Sequence, residues 1–214
     1  GTFEEMARKK GKSDAEIDLL IKEMKLLFER RMPVPSPNER VYSHGPDKLR
    51  SPERRDRLEG ERVVRHCLQG GTIKTLLDIG TGSALFAEAF HEAGIAVAGV
   101  DINAEMIDAA QRHVPEGEFS IARAEDLPFA DGSFDSTFFG VVFHEVSDYA
   151  KALHEAYRVA RCSTFILEWQ YKDEEFGPPI EHRLTKECIR DLSLSTGYRG
   201  FAETPLRTLV LYRL

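Results

Sequence analysis

The chain has 214 residues, and its content of 42% hydrophobic and 30% charged residues is typical of one globular domain. The formal net charge of −7 disfavours a protein that holds nucleic acid by neutralising phosphates over a broad face. The three cysteines are far apart and form no C-x-x-C pair, so we expect no metal site. The sequence shows neither an apolar run of membrane-span length nor a signal-peptide pattern, so we expect a cytoplasmic protein with no membrane partner.

The first 69 residues are predicted to form a helical cap ahead of the main domain. Ser13 is a suitable N-cap, and Glu16 completes a capping box for the helix that follows. The apolar residues of this helix recur at a period of 3.6 and mark one buried face: Ile17, Leu20, Ile21, Met24, Leu27 and Phe28. That face packs on the main domain, covers a ligand site or forms a homodimer seam, and all three alternatives stay open. Prolines then predict an extended loop over residues 32–51, which carries Tyr42 and His44.

A second helix completes the cap. Ser51 as N-cap and Pro52 at the first helical position begin it, and it extends to about Leu68. Its five arginines alternate with acidic residues. The segment 50–65 is therefore either a solvated, salt-bridged face or a grip for phosphates.

The chain alternates predicted strands and helices from residue 73 onward. The predicted strands cover residues 73–79, 95–100, 118–122, 134–143 and 164–171, and the last two segments, 198–204 and 207–214, form an antiparallel hairpin. Helical patterns separate the first five strands. Such alternation is typical of a doubly wound, Rossmann-like α/β domain with a parallel sheet, and we assign this domain to residues 70–214.

A glycine turn follows the first predicted strand. The strand ends at Ile79, two glycines at 80 and 82 break it, and a helical pattern starts at Leu85. This geometry lets a ligand contact backbone N–H groups at a helix N-terminus. Asp101 ends the next strand, nineteen residues after Gly82, where a carboxylate can accept hydrogen bonds from a ribose diol.

Two ligand classes use this arrangement, dinucleotides and S-adenosylmethionine. The dinucleotide fingerprint needs a third small residue where this chain has Leu85, which would hold the helix away from the strand. The acidic residue before the turn, Asp78, points to S-adenosylmethionine. The pattern Asp78-x-Gly80-x-Gly82 resembles motif I of the class I S-adenosylmethionine-dependent methyltransferases.

Three further segments extend the resemblance to the group that includes the ubiquinone and menaquinone C-methyltransferases. They are residues 100–106, residues 124–135, and residues 154–169. The resemblance implies a seven-stranded sheet with a C-terminal antiparallel pair. It also implies a cofactor site formed by Asp78, Gly80, Thr81, Gly82, Asp101, Ile102, Met106, Ala124, Glu125, Phe139 and Gly140.

The chain departs from the family pattern at three places. Ala84 replaces a frequent third glycine. Arg123 stands where an acidic residue often meets the adenine amino group, which puts that contact in doubt. Residues 160–163 replace the usual Pro-Gly-Gly turn with a shorter loop, away from the expected ligand.

The predicted activity is in-line methyl transfer from S-adenosylmethionine to a small-molecule acceptor, which leaves S-adenosylhomocysteine. A base is needed only for a neutral acceptor, and His144 and Glu168 are the predicted catalytic residues. The segment from Tyr42 to Arg57 is expected to cover the pocket. Tyr42, His44, Trp169 and His182 are candidates for contacts with the acceptor. Two alternatives stay open: an RNA methyltransferase that uses the basic segment 50–65, and a silent protein that binds the cofactor without turnover.

Overall fold

The computed structural model describes residues 13–16, 45–69 and 71–214. The chain divides into two compact units, Gly1–Arg40 and Val41–Leu214. In the first unit, Glu16 accepts hydrogen bonds from the backbone N–H and hydroxyl of Ser13 at 2.8 Å, which confirms the capping box. The predicted apolar stripe over residues 17–28 lies outside the described residues, as do Tyr42 and His44.

The second unit contains a seven-stranded sheet. Its strands are β1 (Thr75–Ile79), β2 (Ala96–Asp101), β3 (Glu118–Ile121), β4 (Phe134–Gly140), β5 (Ala160–Trp169), β6 (Ala202–Pro205) and β7 (Leu209–Arg213). The strand order is β3-β2-β1-β4-β5-β7-β6. The first five strands pair in parallel, and β7 pairs antiparallel with β5 and β6. The predicted fold class is confirmed, down to the C-terminal hairpin.

Seven helices are described in this unit. They are α1 (Pro46–Leu49), α2 (Pro52–Leu58), α3 (Gly60–Leu68), α4 (Leu85–Glu92), α5 (Ala104–His113), α6 (Tyr149–Val159) and α7 (Lys186–Thr196). Short 3-10 helices cover Phe143–Glu145 and Ile180–His182. The side chains of Ser51, Asn103, Asp148 and Thr185 cap α2, α5, α6 and α7 by accepting backbone N–H groups.

The core lies between the sheet and its helices. The centre of β1 is buried on both faces, as expected for a parallel strand between helical layers. Phe86 and Phe90 of α4 pack on Phe138 of β4, with ring centroids 5.0 and 5.2 Å apart. Val63 and Val64 of α3 join this cluster. Among the described residues, no helix is both long and apolar enough to cross a membrane.

Several predicted boundaries were wrong: the fifth strand ends at Trp169 rather than 171, the sixth begins at Ala202 rather than 198, and three further differences have a clear structural reason. The single helix over residues 52–68 is two helices, because Glu59 adopts the left-handed conformation with φ of 51°. The fourth strand ends at Gly140 rather than 143, since Val141 takes a φ of 55°. Residues 160–163 form no loop: they begin β5, where Ala160 pairs with Phe134.

Candidate cofactor and acceptor site

The glycine turn lies at the carboxyl end of β1 and is fixed to β2. The backbone N–H groups of Gly80 and Thr81 both donate to the carbonyl of Val100, at 2.8 and 2.9 Å. Gly80 has a φ of +72°, and a Cβ built there would lie 2.6 Å from Cγ2 of Val142. Only glycine satisfies both constraints, because the backbone of the turn packs directly against the side chain of Val142, in the segment after β4.

Asp101 joins the turn to the end of β2. Its Oδ2 accepts the N–H of Gly82 and its Oδ1 accepts the N–H of Asn103, each at 2.9 Å. Burial raises the pKa of this carboxyl, and the hydrogen bonds from the two N–H groups oppose that shift. Each oxygen retains a second lone pair for a ligand hydroxyl. The next side chain, Ile102, is 49% exposed and offers an apolar surface beside the carboxylate.

Asp78 is the buried acid of the turn, with a side chain exposed by only 1%. Its Oδ2 accepts the hydroxyl of Thr81 at 2.8 Å, whereas Oδ1 has no hydrogen-bond partner among the described residues. Burial raises the pKa of Asp78 to about 7, and the negative charge of Asp101 adds to the rise. A buried acceptor without a donor is uncommon in proteins and suits a cationic ligand group.

His144 and Glu168 form a buried pair on the other side of the turn. Nδ1 of His144 lies 2.9 and 3.0 Å from the two oxygens of Glu168. Glu168 also accepts the backbone N–H of His144 at 2.9 Å and that of Trp169 at 3.3 Å. Nε2 of His144 lies 3.7 Å from Oε1 of Glu145. The structure therefore brings together the two side chains predicted to be catalytic.

Other predicted cofactor residues have structural partners. The carboxylate of Glu125 accepts the N–H groups of Ser147 and Asp148, at 2.8 and 3.3 Å, and so holds the start of α6. Phe139 is fully buried and packs on Phe143, with ring centroids 5.0 Å apart. Met106 is also buried, whereas Ala124 and Gly140 are half-buried. Contacts of these residues with adenine or the sulfonium group stay predictions.

Trp169 and His182 lie around the loop that follows β5. The ring of Trp169 is 4% exposed and lies 6.1 Å from the ring of Phe176. His182 ends the second 3-10 helix and is half-buried. In the described ranges, no group of three or more His, Cys, Asp or Glu side chains is arranged to hold a metal ion.

The contacts of two arginines that organise this edge of the sheet were not predicted from the sequence, although Arg50 lies in the predicted basic segment 50–65. Arg50 donates to the carbonyl of Ser83 at 2.8 Å and forms an ion pair with Glu88. Arg183 is buried within the loop after β5 and donates to four of its backbone carbonyls. Both arginines stand in polar segments, where an exposed side chain is the ordinary expectation.

Comparison with known proteins finds similarity to methyltransferases. Residues 77–166 match the family model of the methyltransferase domain. A demethylmenaquinone methyltransferase from Renibacterium salmoninarum is 30% identical over 103 residues, which cover 48% of this chain and 44% of that protein. A ubiquinone/menaquinone biosynthesis C-methyltransferase from Geotalea uraniireducens is 33% identical over 128 residues, 55% of this chain and 53% of the relative. The chain thus spans about half the length of these relatives.

Solved structures share the fold. The crystal structure of an S-adenosylmethionine-dependent methyltransferase from Aquifex aeolicus superposes with a TM-score of 0.67 over 84% of this chain and 97% of that chain, at 22% identity. The matched domain, the strand order and the relatives make this chain similar to class I S-adenosylmethionine-dependent methyltransferases, among them the ubiquinone and menaquinone C-methyltransferases.

Proposed function

We propose that this protein transfers a methyl group from S-adenosylmethionine to a small-molecule acceptor. The observation that carries the proposal is the placement of the His144–Glu168 pair across from the glycine turn. The turn follows β1 and the pair follows β4 and β5, on either side of the point where the strand order reverses. Ligands of open α/β sheets bind at that point, so donor and acceptor would meet between them.

The donor side is suited to S-adenosylmethionine, which supplies an electrophilic methyl group on a sulfonium. Asp101 would accept the ribose hydroxyls, and Ile102 would lie against the adenine. The free oxygen of Asp78 and the backbone of the turn would hold the methionine end, whose ammonium group supplies the missing donor. By holding donor and acceptor in line, these residues reduce the entropy cost of reaching the transition state.

The acceptor side contains a histidine suited to remove a proton. Glu168 already accepts two backbone N–H groups, so its carboxylate orients the imidazole with the Nδ1 hydrogen toward itself. With Nδ1 protonated, Nε2 is the basic nitrogen of the neutral imidazole and can take a proton from a hydroxyl or an activated carbon. This is the chemistry that a neutral acceptor requires, whereas an acceptor that is already an anion would need only positioning.

We also propose that residues 45–58, here called the strap, cover the site. Leu49 lies against Gly82, since a Cβ built on Gly82 would be 3.0 Å from Cδ1 of Leu49. Arg50 donates to the carbonyl of Ser83. At the other end of the strap, Arg57 lies 4.4 Å over the ring of Phe176, in the loop after β5. The strap therefore contacts both the donor and the acceptor side of the carboxyl edge.

The names of the relatives support the acceptor class. A demethylmenaquinone is an aromatic ring system whose reduced form carries hydroxyl groups, and such an acceptor gives His144 a proton to remove. An RNA acceptor is less well supported, because Arg55 and Arg62 pair with Glu88 and Glu59 rather than forming a free basic face. A cytoplasmic location and a homodimer remain predictions of the sequence.

Calorimetry followed by a methyl-transfer assay tests the proposal. We expect S-adenosylmethionine and S-adenosylhomocysteine to bind and NAD to show no binding. Transfer of labelled methyl is then measured with reduced demethylmenaquinone, simple phenols, amines and RNA. His144→Asn and Glu168→Gln should abolish most transfer while the cofactor still binds, and exposed His154→Asn on α6 is the matched control. Binding without transfer to any acceptor would instead support the silent alternative.

A further inference from the structure

We propose that Arg183 is a positioning residue that holds the His144–Glu168 pair in place by locking the loop of residues 170–182 onto the end of β5. The inference rests on the proposed function of that pair. It concerns a residue outside that pair.

The guanidinium of Arg183 is the centre of the loop. Its side chain is only 1% exposed, so all of its N–H groups must find partners inside the protein. It donates to the carbonyls of Pro178 at 2.9 Å, Gln170 at 3.0 Å, Lys172 at 2.7 Å and Phe176 at 2.6 Å. Glu174 lies 3.7 Å away and supplies a counter-charge. The loop is thus wrapped around one buried cation.

The loop in turn fixes the end of β5. The guanidinium lies 5.8 Å from the centre of the Trp169 ring, and a Cβ on Gly177 would lie 2.8 Å from that ring. Arg183 also donates to the carbonyl of Gln170, and the backbone N–H of Gln170 donates to the carbonyl of Thr208 at 3.1 Å. Trp169 is therefore held by its ring and by the peptide that follows it.

Trp169 passes this constraint to Glu168. Its backbone N–H donates to Oε2 of Glu168, one of the two oxygens that face Nδ1 of His144. If the loop opens, the Trp169 ring loses its packing partners and the end of β5 can fray from β7, so that the Trp169 N–H no longer holds Glu168 in its orientation. Lysine cannot replace Arg183, because one ammonium group cannot reach four carbonyls arranged around a planar fork.

The test uses two spectroscopic probes in the full chain. Trp169 is the sole tryptophan of the sequence, so acrylamide quenching of its fluorescence reports on the loop. The ¹⁵N chemical shift of the His144 ring reports on its hydrogen bond to Glu168. The variants are Arg183→Met and Arg183→Lys, and Arg190→Met on the exposed face of α7 is the matched control. Arg183→Ala is measured with and without millimolar guanidinium, which can refill the site.

We expect quenching of Trp169 to increase about threefold and the His144 ring signal to move in the Arg183 variants, while the dissociation constant of S-adenosylhomocysteine stays within about twofold. Guanidinium should return both signals toward wild type. Greater quenching with an unchanged His144 signal would overturn the proposal, since Arg183 would then serve the loop alone. If Arg183→Met does not fold, Arg183→Lys decides by the same two signals. Failure of the wild type to bind S-adenosylhomocysteine would contradict the proposed function and leave both spectroscopic tests valid.

Discussion

Gly80 shows how one position meets two separate demands. Its positive φ disfavours any side chain, and Val142 occupies the space that a Cβ would need. We expect Gly80→Ala to lower the free energy of unfolding by about 2–4 kcal/mol, the sum of the conformational cost and the steric overlap. Gly94 also has a positive φ, +85°, but has no atom near a built Cβ. Gly94→Ala should therefore cost only about 1 kcal/mol.

Urea unfolding of both variants measures this difference. Adding Val142→Ala to Gly80→Ala should recover part of the loss, because it removes the two methyl groups that collide. Equal costs at the two glycines would show that Val142 does not constrain the turn.

Asp101 is the residue that we propose to bind the ribose hydroxyls. We expect Asp101→Ala to weaken binding of S-adenosylhomocysteine by about 1.5–3 kcal/mol, the range for losing a charge-assisted hydrogen bond. Because Asp101 also accepts the N–H of Gly82, Asp101→Asn, which keeps an acceptor oxygen, should lose less. Calorimetry measures both affinities, and Asp108→Ala on the exposed side of α5 is the control. An unchanged dissociation constant in folded Asp101→Ala would refute the assignment.

Spacing along the chain predicted Gly80, Gly82 and Asp101 because strand, turn and strand are local features. The pairing of His144 with Glu168 was suggested only by their position after neighbouring strands. The contacts of Arg183 could not be predicted, because its partners are carbonyl groups, and every residue has one. A side chain that binds backbone leaves no pattern in the sequence.

The boundaries of the helices and strands also depend partly on local sequence and partly on contacts that only the fold creates. The apolar runs identified all seven strands, but not where β4 ends, since Val141 and Val142 continue its pattern and only the fold gives Val141 a positive φ. The break at Glu59 was also missed, because helical patterns lie on both sides of it and the helix-disfavouring Gly60 was not taken as a boundary. There the carboxylate accepts the N–H of Arg207 at 3.0 Å and binds Arg62 at 2.8 Å, which are contacts made across and along the chain.

The strap is expected to respond to the cofactor. If it covers the site, S-adenosylhomocysteine should slow hydrogen exchange of the amides in α1 and α2 by about tenfold, because the bound ligand adds contacts that must break before the strap opens. Arg50→Gln should remove most of this protection, since Arg50 joins the strap to Ser83 and Glu88.

Arg62→Gln is the matched control for the strap, because Arg62 pairs only locally, with Glu59. Exchange is followed by mass spectrometry on peptides from residues 45–58. The same rates with and without saturating ligand would show that the strap packs on the edge of the sheet and is no lid.

At the level of the complete fold, the site follows from topology more than from any single motif. The strand order reverses between β1 and β4, and the carboxyl ends of five parallel strands meet at one edge. Asp78, Asp101, His144 and Glu168, which we assign to the donor and acceptor sides, lie toward that edge. The alternating pattern predicted a parallel sheet, and ligands of such sheets bind at the carboxyl ends of the strands, so the region of the site was predictable even where its contacts were not.

Placing two carboxyl groups, Asp78 and Asp101, at this edge has a cost for the stability of the whole fold. Burial raises the pKa of Asp78 from an ordinary 3.8 to about 7, with a contribution from Asp101. The folded state therefore retains a proton that the unfolded chain releases. Its contribution to stability is fully present below about pH 4 and is lost as the pH rises to about 7.

We expect Asp78→Asn, which cannot ionise, to escape this loss. Between about pH 4.5 and pH 7.5, on either side of the isoelectric point near 5.6, the free energy of unfolding should shift by roughly 2–3 kcal/mol in favour of the variant. Urea unfolding of both proteins without cofactor measures this free energy at the two pH values. The same substitution should weaken the binding of S-adenosylhomocysteine, because a neutral amide cannot form an ion pair with the ammonium group of the ligand. Stability and affinity would then move in opposite directions, as is common at functional sites. A pH-independent difference between the two proteins would mean that Asp78 titrates near its ordinary value.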